Sequence, residues 1–84
     1  MFAKVKSQVF IDNLVVELFQ NNSSILRAVL KDEQGSVCSA LETSLQLNQQ
    51  FVVWKGLNDL PYGIYTLELS QGEDEMKTRM VKRV

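Results

Sequence analysis

The segment Trp54-Lys55-Gly56-Leu57-Asn58-Asp59-Leu60-Pro61-Tyr62-Gly63-Ile64-Tyr65 constrains this chain more than any other. Pro61 fixes its own φ near about −65° and Gly63 is free to take positive φ, so together they turn the chain sharply. The run that follows alternates strictly. Tyr65, Leu67 and Leu69 share one face and Thr66, Glu68 and Ser70 the other, the pattern of a half-buried strand. A tyrosine entering a strand directly after such a corner can bury its ring while its hydroxyl reaches back to the backbone it has just left. That device joins consecutive strands of two-sheet sandwiches. Leu60, Pro61, Gly63 and Tyr65 are therefore expected to organise the fold, and Trp54 to belong to the core. A ligand site built from Trp54 and Tyr62 is the other reading of the same segment.

The rest of the chain repeats the pattern at close intervals. Turn signals fall at Asp12-Asn13, Asn21-Asn22-Ser23-Ser24, Asp32-Glu33-Gln34-Gly35, Asn48, Asn58-Asp59, Pro61-Tyr62-Gly63 and Gln71-Gly72-Glu73-Asp74. Between them Leu14, Val16 and Leu18 share a face, and Leu26, Ala28 and Leu30 point away from Arg27 and Lys31. Helix competes poorly, because Gly35, Val37, Thr43 and the serines weaken the only stretch with helix-like content, Asp32–Leu47. Ala40-Leu41-Glu42 could form a single turn at most. Strands are expected near 2–6, 9–19 (with a break at Asp12-Asn13), 24–31, 36–41, 44–47, 49–55, 62–70 and 75–83, with one or two of these merging. The expected fold is all-β: an immunoglobulin-like antiparallel sandwich of about seven strands with Greek-key connections, one domain over residues 1–84.

Composition narrows the function classes. Nine Lys plus Arg stand against ten Asp plus Glu in 84 residues, too even a balance for a general nucleic-acid binder. Apolar runs such as Leu14-Val15-Val16 fall far short of the ~20 residues of a membrane-spanning helix. The chain contains no histidine and a single cysteine. A serine or cysteine nucleophile then lacks its usual base, and zinc lacks its usual ligands. The acidic run Glu73-Asp74-Glu75 has no calcium-loop spacing and is expected to be a solvated turn. No enzymatic activity, metal or cofactor is expected. Cys38 is expected to be a small buried hydrophobe. Met1-Phe2-Ala3-Lys4-Val5-Lys6 lacks the apolar core of a signal peptide, so the chain either stays where it is made or is a piece of a longer exported protein.

Several of these blocks also carry a family resemblance. Asp59-Leu60-Pro61-Tyr62-Gly63-Ile64-Tyr65, a β run, an acidic turn and the basic ending Lys77-Thr78-Arg79-Met80-Val81-Lys82-Arg83 together resemble the C-terminal sorting domain of type IX secretion cargo (the type A class of Bacteroidetes). Upstream, Phe10-Ile11-Asp12-Asn13-Leu14-Val15-Val16 and Leu30-Lys31-Asp32-Glu33-Gln34-Gly35-Ser36-Val37 are similar to that family's earlier blocks, in the same order. Gln8-Val9 stand where the family usually has an Asn-Pro pair. Trp54-Lys55-Gly56 also fits a wider group of bacterial immunoglobulin-like modules. The resemblance implies export through the periplasm to the cell surface or medium, recognition by a secretion machine near the extreme C-terminus, and no catalytic residue.

The final strand is where recognition is expected. Lys77, Arg79, Val81 and Arg83 alternate with Met76, Thr78, Met80, Lys82 and Val84, which makes an apolar face backed by a cationic one. Lys77, Arg79, Lys82 and Arg83 are the candidate recognition residues. A charged edge strand also discourages unwanted pairing between sheets. The alternative function is a free-standing interaction or structural module that meets a protein partner, or a second copy of itself, through a sheet edge.

Overall fold

The computed structural model describes residues 2–19 and 25–83. The turn signal at Asn21-Asn22-Ser23-Ser24 lies outside the described residues, as do Met1 and Val84. The chain is all-β, with eight strands among the described residues: β1 Ala3–Val5, β2 Val9–Phe10, β3 Leu14–Leu18, β4 Ile25–Lys31, β5 Val37–Ser44, β6 Phe51–Trp54, β7 Gly63–Gln71 and β8 Asp74–Lys82. They form two sheets in a sandwich-like arrangement: a three-stranded sheet in the order β1-β3-β6 and a five-stranded sheet in the order β2-β8-β7-β4-β5.

Each sheet turns its apolar positions toward the other. The smaller sheet contributes Ala3, Leu14, Val16, Leu18, Val52 and Trp54, all buried. The larger contributes Leu26, Ala28 and Leu30 from β4, Tyr65, Leu67 and Leu69 from β7, and Met80 from β8. Cross-strand register stacks these into rows, with Leu67 between Leu30 and Thr78, and Tyr65 opposite Met80. Burying each such leucine is worth about 1.5–3 kcal/mol, so the alternating triplets decide which face of each strand turns inward. Leu57, from the loop before the corner, is also in the core, and its N–H donates to the Asp12 carbonyl at 3.0 Å.

Three departures from the sequence reading have physical causes. The first is the strand count, eight rather than about seven. The N-terminal stretch divides into β1, β2 and β3, and the two short strands expected at 36–41 and 44–47 are largely one, β5. Ala40-Leu41-Glu42 lies within β5 and not in a helical turn. The second is a parallel contact in a sheet expected to be wholly antiparallel. β2 pairs parallel with the end of β8, Val9 with Val81 and Phe10 with Lys82. After crossing from the small sheet to the large one, the chain runs in the same direction as β8.

The third departure is Cys38, which is exposed. Among the described residues β5 hydrogen-bonds only to β4, on one side, and the narrower sheet leaves even its inward positions partly open. The β4–β5 register slips between Leu30 and Lys31, which pair with Ser39 and Val37 and skip Cys38. Cys38 is thus the extra residue of a β-bulge at an uncovered edge. Its thiol lies 3.5 Å from the Ser36 carbonyl, to which it donates.

The β7–β8 hairpin closes through Gly72-Glu73, with Gln71 facing Asp74 across it. Gly72 has φ +62°, which suits glycine at the first central position of a two-residue hairpin turn. The Asp32–Gly35 turn is pinned by one carboxylate, as Asp32 Oδ1 accepts from the N–H groups of Gln34 and Ser36, both at 2.9 Å.

Candidate functional site

The corner forms as its residues predict. The Tyr65 hydroxyl donates to the Pro61 carbonyl at 2.6 Å, and the ring is buried at 4 % exposure. Phe10 meets the ring edge-on, with centroids 6.2 Å apart. Gly63 takes φ +143°, a backbone conformation that strains any residue carrying a Cβ, so it lets the chain enter β7 directly from the corner. Leu60 is half-buried against the core, and Pro61 is exposed at the apex.

Burial raises the pKa of Tyr65, and the charges of Cys38 and Asp32 add to the effect. The folded state therefore holds the phenol's proton to higher pH than the unfolded chain, whose tyrosine titrates near about 10. Below that pH the contribution to stability is complete; above it, stability falls as pH rises toward the folded pKa. Wild-type protein is expected to lose stability between pH 9 and about 11 more steeply than Tyr65→Phe in parallel chemical denaturation. Equal slopes would contradict the buried phenol.

Trp54 and Tyr62 do not form a common site. Trp54 is in the core, whereas Tyr62 is 66 % exposed. An open depression of about 270 Å³ lies beside the corner, with Asp32, Cys38, Tyr62 and Tyr65 among its lining residues and Trp54 not among them.

The last strand divides in two. Sheet order places β2 beside β8, but β2 covers only Val81 and Lys82. There the Val81 N–H donates to the Gln8 carbonyl at 2.7 Å and the Arg83 N–H to the Phe10 carbonyl at 2.9 Å. The expectation of a terminal edge strand is therefore corrected at its end, and it holds for the stretch before Val81. Backbone groups alternate sides along a strand, so those of Glu75, Lys77 and Arg79 face the same way as those of Val81 and Arg83. Among the described residues no strand lies beside them.

The candidate cations also divide. Lys77 and Arg79 project from the outer face of β8, and Arg83 is exposed just beyond its end. Lys77 has one distant ion pair, 3.9 Å from Glu68, which Lys31 holds more closely at 3.0 Å. A pair so exposed contributes little. No carboxylate among the described residues pairs with Arg79 or Arg83. Lys82 is different. It is only 2 % exposed, on the face it shares with Met80, so it supplies no cation to the outer surface. Its Nζ donates to the Arg83 carbonyl at 3.1 Å and lies 5.4 Å from the Tyr62 ring centroid. The alternation along β8 already assigned Lys82 to the methionine face, and that signal outweighs its charge.

Sequence reasoning missed a second exposed surface, on the small sheet. β6 is an edge strand with Phe51 and Val53 on its outer face, 40 % and 50 % exposed. Lys6 lies over the Phe51 ring, 4.9 Å from its centroid, and Lys4 over Phe19 at 5.9 Å. The Phe51-Val52-Val53-Trp54 run carried the signal, since four apolar residues in a row leave two of them on the outside of any strand.

Among the described residues no helix is long and apolar enough to cross a membrane, and no three or more His, Cys, Asp or Glu side chains come together to hold a metal ion. Compared with known proteins, the chain matches no family model and no curated protein.

Proposed function

We propose that this chain is a non-catalytic sorting module, similar to the C-terminal domains of type IX secretion cargo, which presents its last strand to a protein of the export machinery. The observation that carries this reading is the pairing of two features on one strand. Lys77, Arg79 and Arg83 are exposed, while the backbone groups of Glu75, Lys77 and Arg79 face an open sheet edge. A partner strand laid along that edge would gain main-chain hydrogen bonds, and an acidic partner surface would be steered by the cations.

The fold belongs to the same reading. Lettered as an immunoglobulin-like sandwich, β1, β3 and β6 take the places of strands A, B and E, and β4, β5, β7 and β8 those of C, C′, F and G. β2 is then the part of strand A that crosses to the other sheet. Tyr65 stands at the start of strand F, where a tyrosine corner belongs. Export would carry the module across the periplasm to the cell surface or the medium.

The test fuses residues 1–84 behind a periplasmic reporter in a host that has the secretion system. The reporter is expected at the cell surface or in the medium; retention in the periplasm, with the module folded, would overturn the reading. A second reading, a free-standing interaction module, is favoured by the apolar β6 edge, where Phe51 and Val53 stand exposed. It predicts a partner whose binding is lost in Phe51→Ser/Val53→Ser and kept when the β8 cations are reversed.

A further inference from the structure

The open stretch of β8 is complementary to itself. We propose that two copies of this chain associate through it, antiparallel, about a two-fold axis passing between their Met76 residues. This goes beyond the export reading and does not depend on it; the edge would hold either a second copy or an export partner, not both.

In a continuous antiparallel sheet, residues directly opposite each other project from the same face. Two copies related by a two-fold axis normal to the sheet therefore pair so that the two residue numbers sum to an even value. Outward-facing backbone groups on β8 belong to the odd-numbered residues, so odd–odd pairs make the hydrogen bonds and even–even pairs sit between them. Only the stretch from Asp74 to Met80 is available, because β2 occupies the edge at Val81 and Lys82.

Charge selects one register. With the axis at Met76, Glu75 of each copy faces Lys77 of the other, and Glu73 in the hairpin turn faces Arg79. Every outer-face pair then joins opposite charges. Moving the axis to Glu75 sets that glutamate against itself, and moving it to Lys77 does the same to the lysine. Moving it to Thr78 sets Lys77 against Arg79 and drives the partner strand into β2. Opposite charges directly across an antiparallel pair stabilise it and like charges destabilise it, so Met76 is the favoured centre. The groups involved are free to respond: no ion pair among the described residues engages Glu75 or Arg79, and Lys77 has only its 3.9 Å contact with Glu68.

On the inner face the two half-buried Met76 side chains would meet and extend the apolar layer across the junction. Such an interface is isologous, so it closes as a dimer and does not propagate. The result is one continuous sheet made of two five-stranded halves.

Sedimentation equilibrium on the 84-residue chain tests this. A reversible dimer is expected, and a chain that stays monomeric to about 1 mM would overturn the proposal. Glu75→Lys and Lys77→Glu each turn two attractive pairs into two repulsive ones, and each is expected to weaken self-association roughly tenfold or more. Mixing the two variants restores both attractions and should recover a heterodimer. Self-association unaffected by either variant, or lost and not recovered on mixing, would contradict the register. Met76→Cys in a Cys38→Ser background gives an independent reading. The two thiols would face each other at a non-hydrogen-bonded site, and mild oxidation is expected to yield a covalent dimer. Persistence as a monomer on a non-reducing gel would count against the axis.

Discussion

Leu67→Ala is expected to destabilise the domain by about 3–4 kcal/mol and to lower its melting temperature by roughly 15–25 °C. Leu67 is fully buried in β7, which β8 and β4 flank, and its neighbours in register are Leu30 and Thr78. The side chain faces a sheet of only three strands, so little surrounding structure can collapse into the space its loss would open. A domain of this length has only about 4–12 kcal/mol of stability, so this one change removes a large share of it. Urea denaturation followed by tryptophan fluorescence is suited to the measurement, because Trp54 is buried in the same core. A cost below about 1 kcal/mol would mean that the two sheets do not close over Leu67.

Tyr65 is expected to show two separable effects. Tyr65→Ala should cost about 3–5 kcal/mol, as removal of a buried aromatic ring does. Tyr65→Phe should cost about 1–2 kcal/mol, the loss of a single hydrogen bond whose partner is left behind. The ring is held by its edge contact with Phe10 and by the cross-strand position of Met80, and neither involves the hydroxyl. The hydroxyl is held by the Pro61 carbonyl at 2.6 Å. A phenylalanine variant as stable as wild type would reduce the corner to hydrophobic packing. One as damaging as alanine would make the hydrogen bond the dominant part.

The corner and most of the core were legible because each rests on a short-range rule. The triplets Leu14/Val16/Leu18, Leu26/Ala28/Leu30 and Tyr65/Leu67/Leu69 alternate, and all nine side chains are buried. Pro61, Gly63 and Tyr65 state their turn through φ restriction and hydroxyl reach, which need no knowledge of the rest of the chain. What was illegible depends on where strands lie relative to each other. β2 is two residues long, too short for any periodicity, and its parallel contact exists only because β8 passes beside it. Cys38 looks like a core residue until the β4–β5 bulge places it on an uncovered edge. β5 hides its length for the same reason: an edge strand beyond the cover of the smaller sheet need not carry an apolar face.

The candidate site divides along the same line. That Lys77 and Arg79 face outward follows from alternation and could be read directly. That the edge beside them stays open only as far as Met80 follows from the position of β2 and could not. This also changes how the site must be probed. Removing Lys77–Val84 would take away most of β8 together with the fully buried Met80, so a truncated module would lose its fold along with any signal.

Reversing the exposed charges separates recognition through the last strand from the integrity of the fold. Lys77→Glu/Arg79→Glu/Arg83→Glu, placed in the reporter fusion, alters three side chains whose charges lie outside the core. The isolated variant should keep a cooperative unfolding transition within about 1 kcal/mol of wild type. Export of its reporter is expected to fall at least tenfold while the wild-type fusion reaches the surface. A folded triple variant exported as well as wild type would contradict recognition through the last strand.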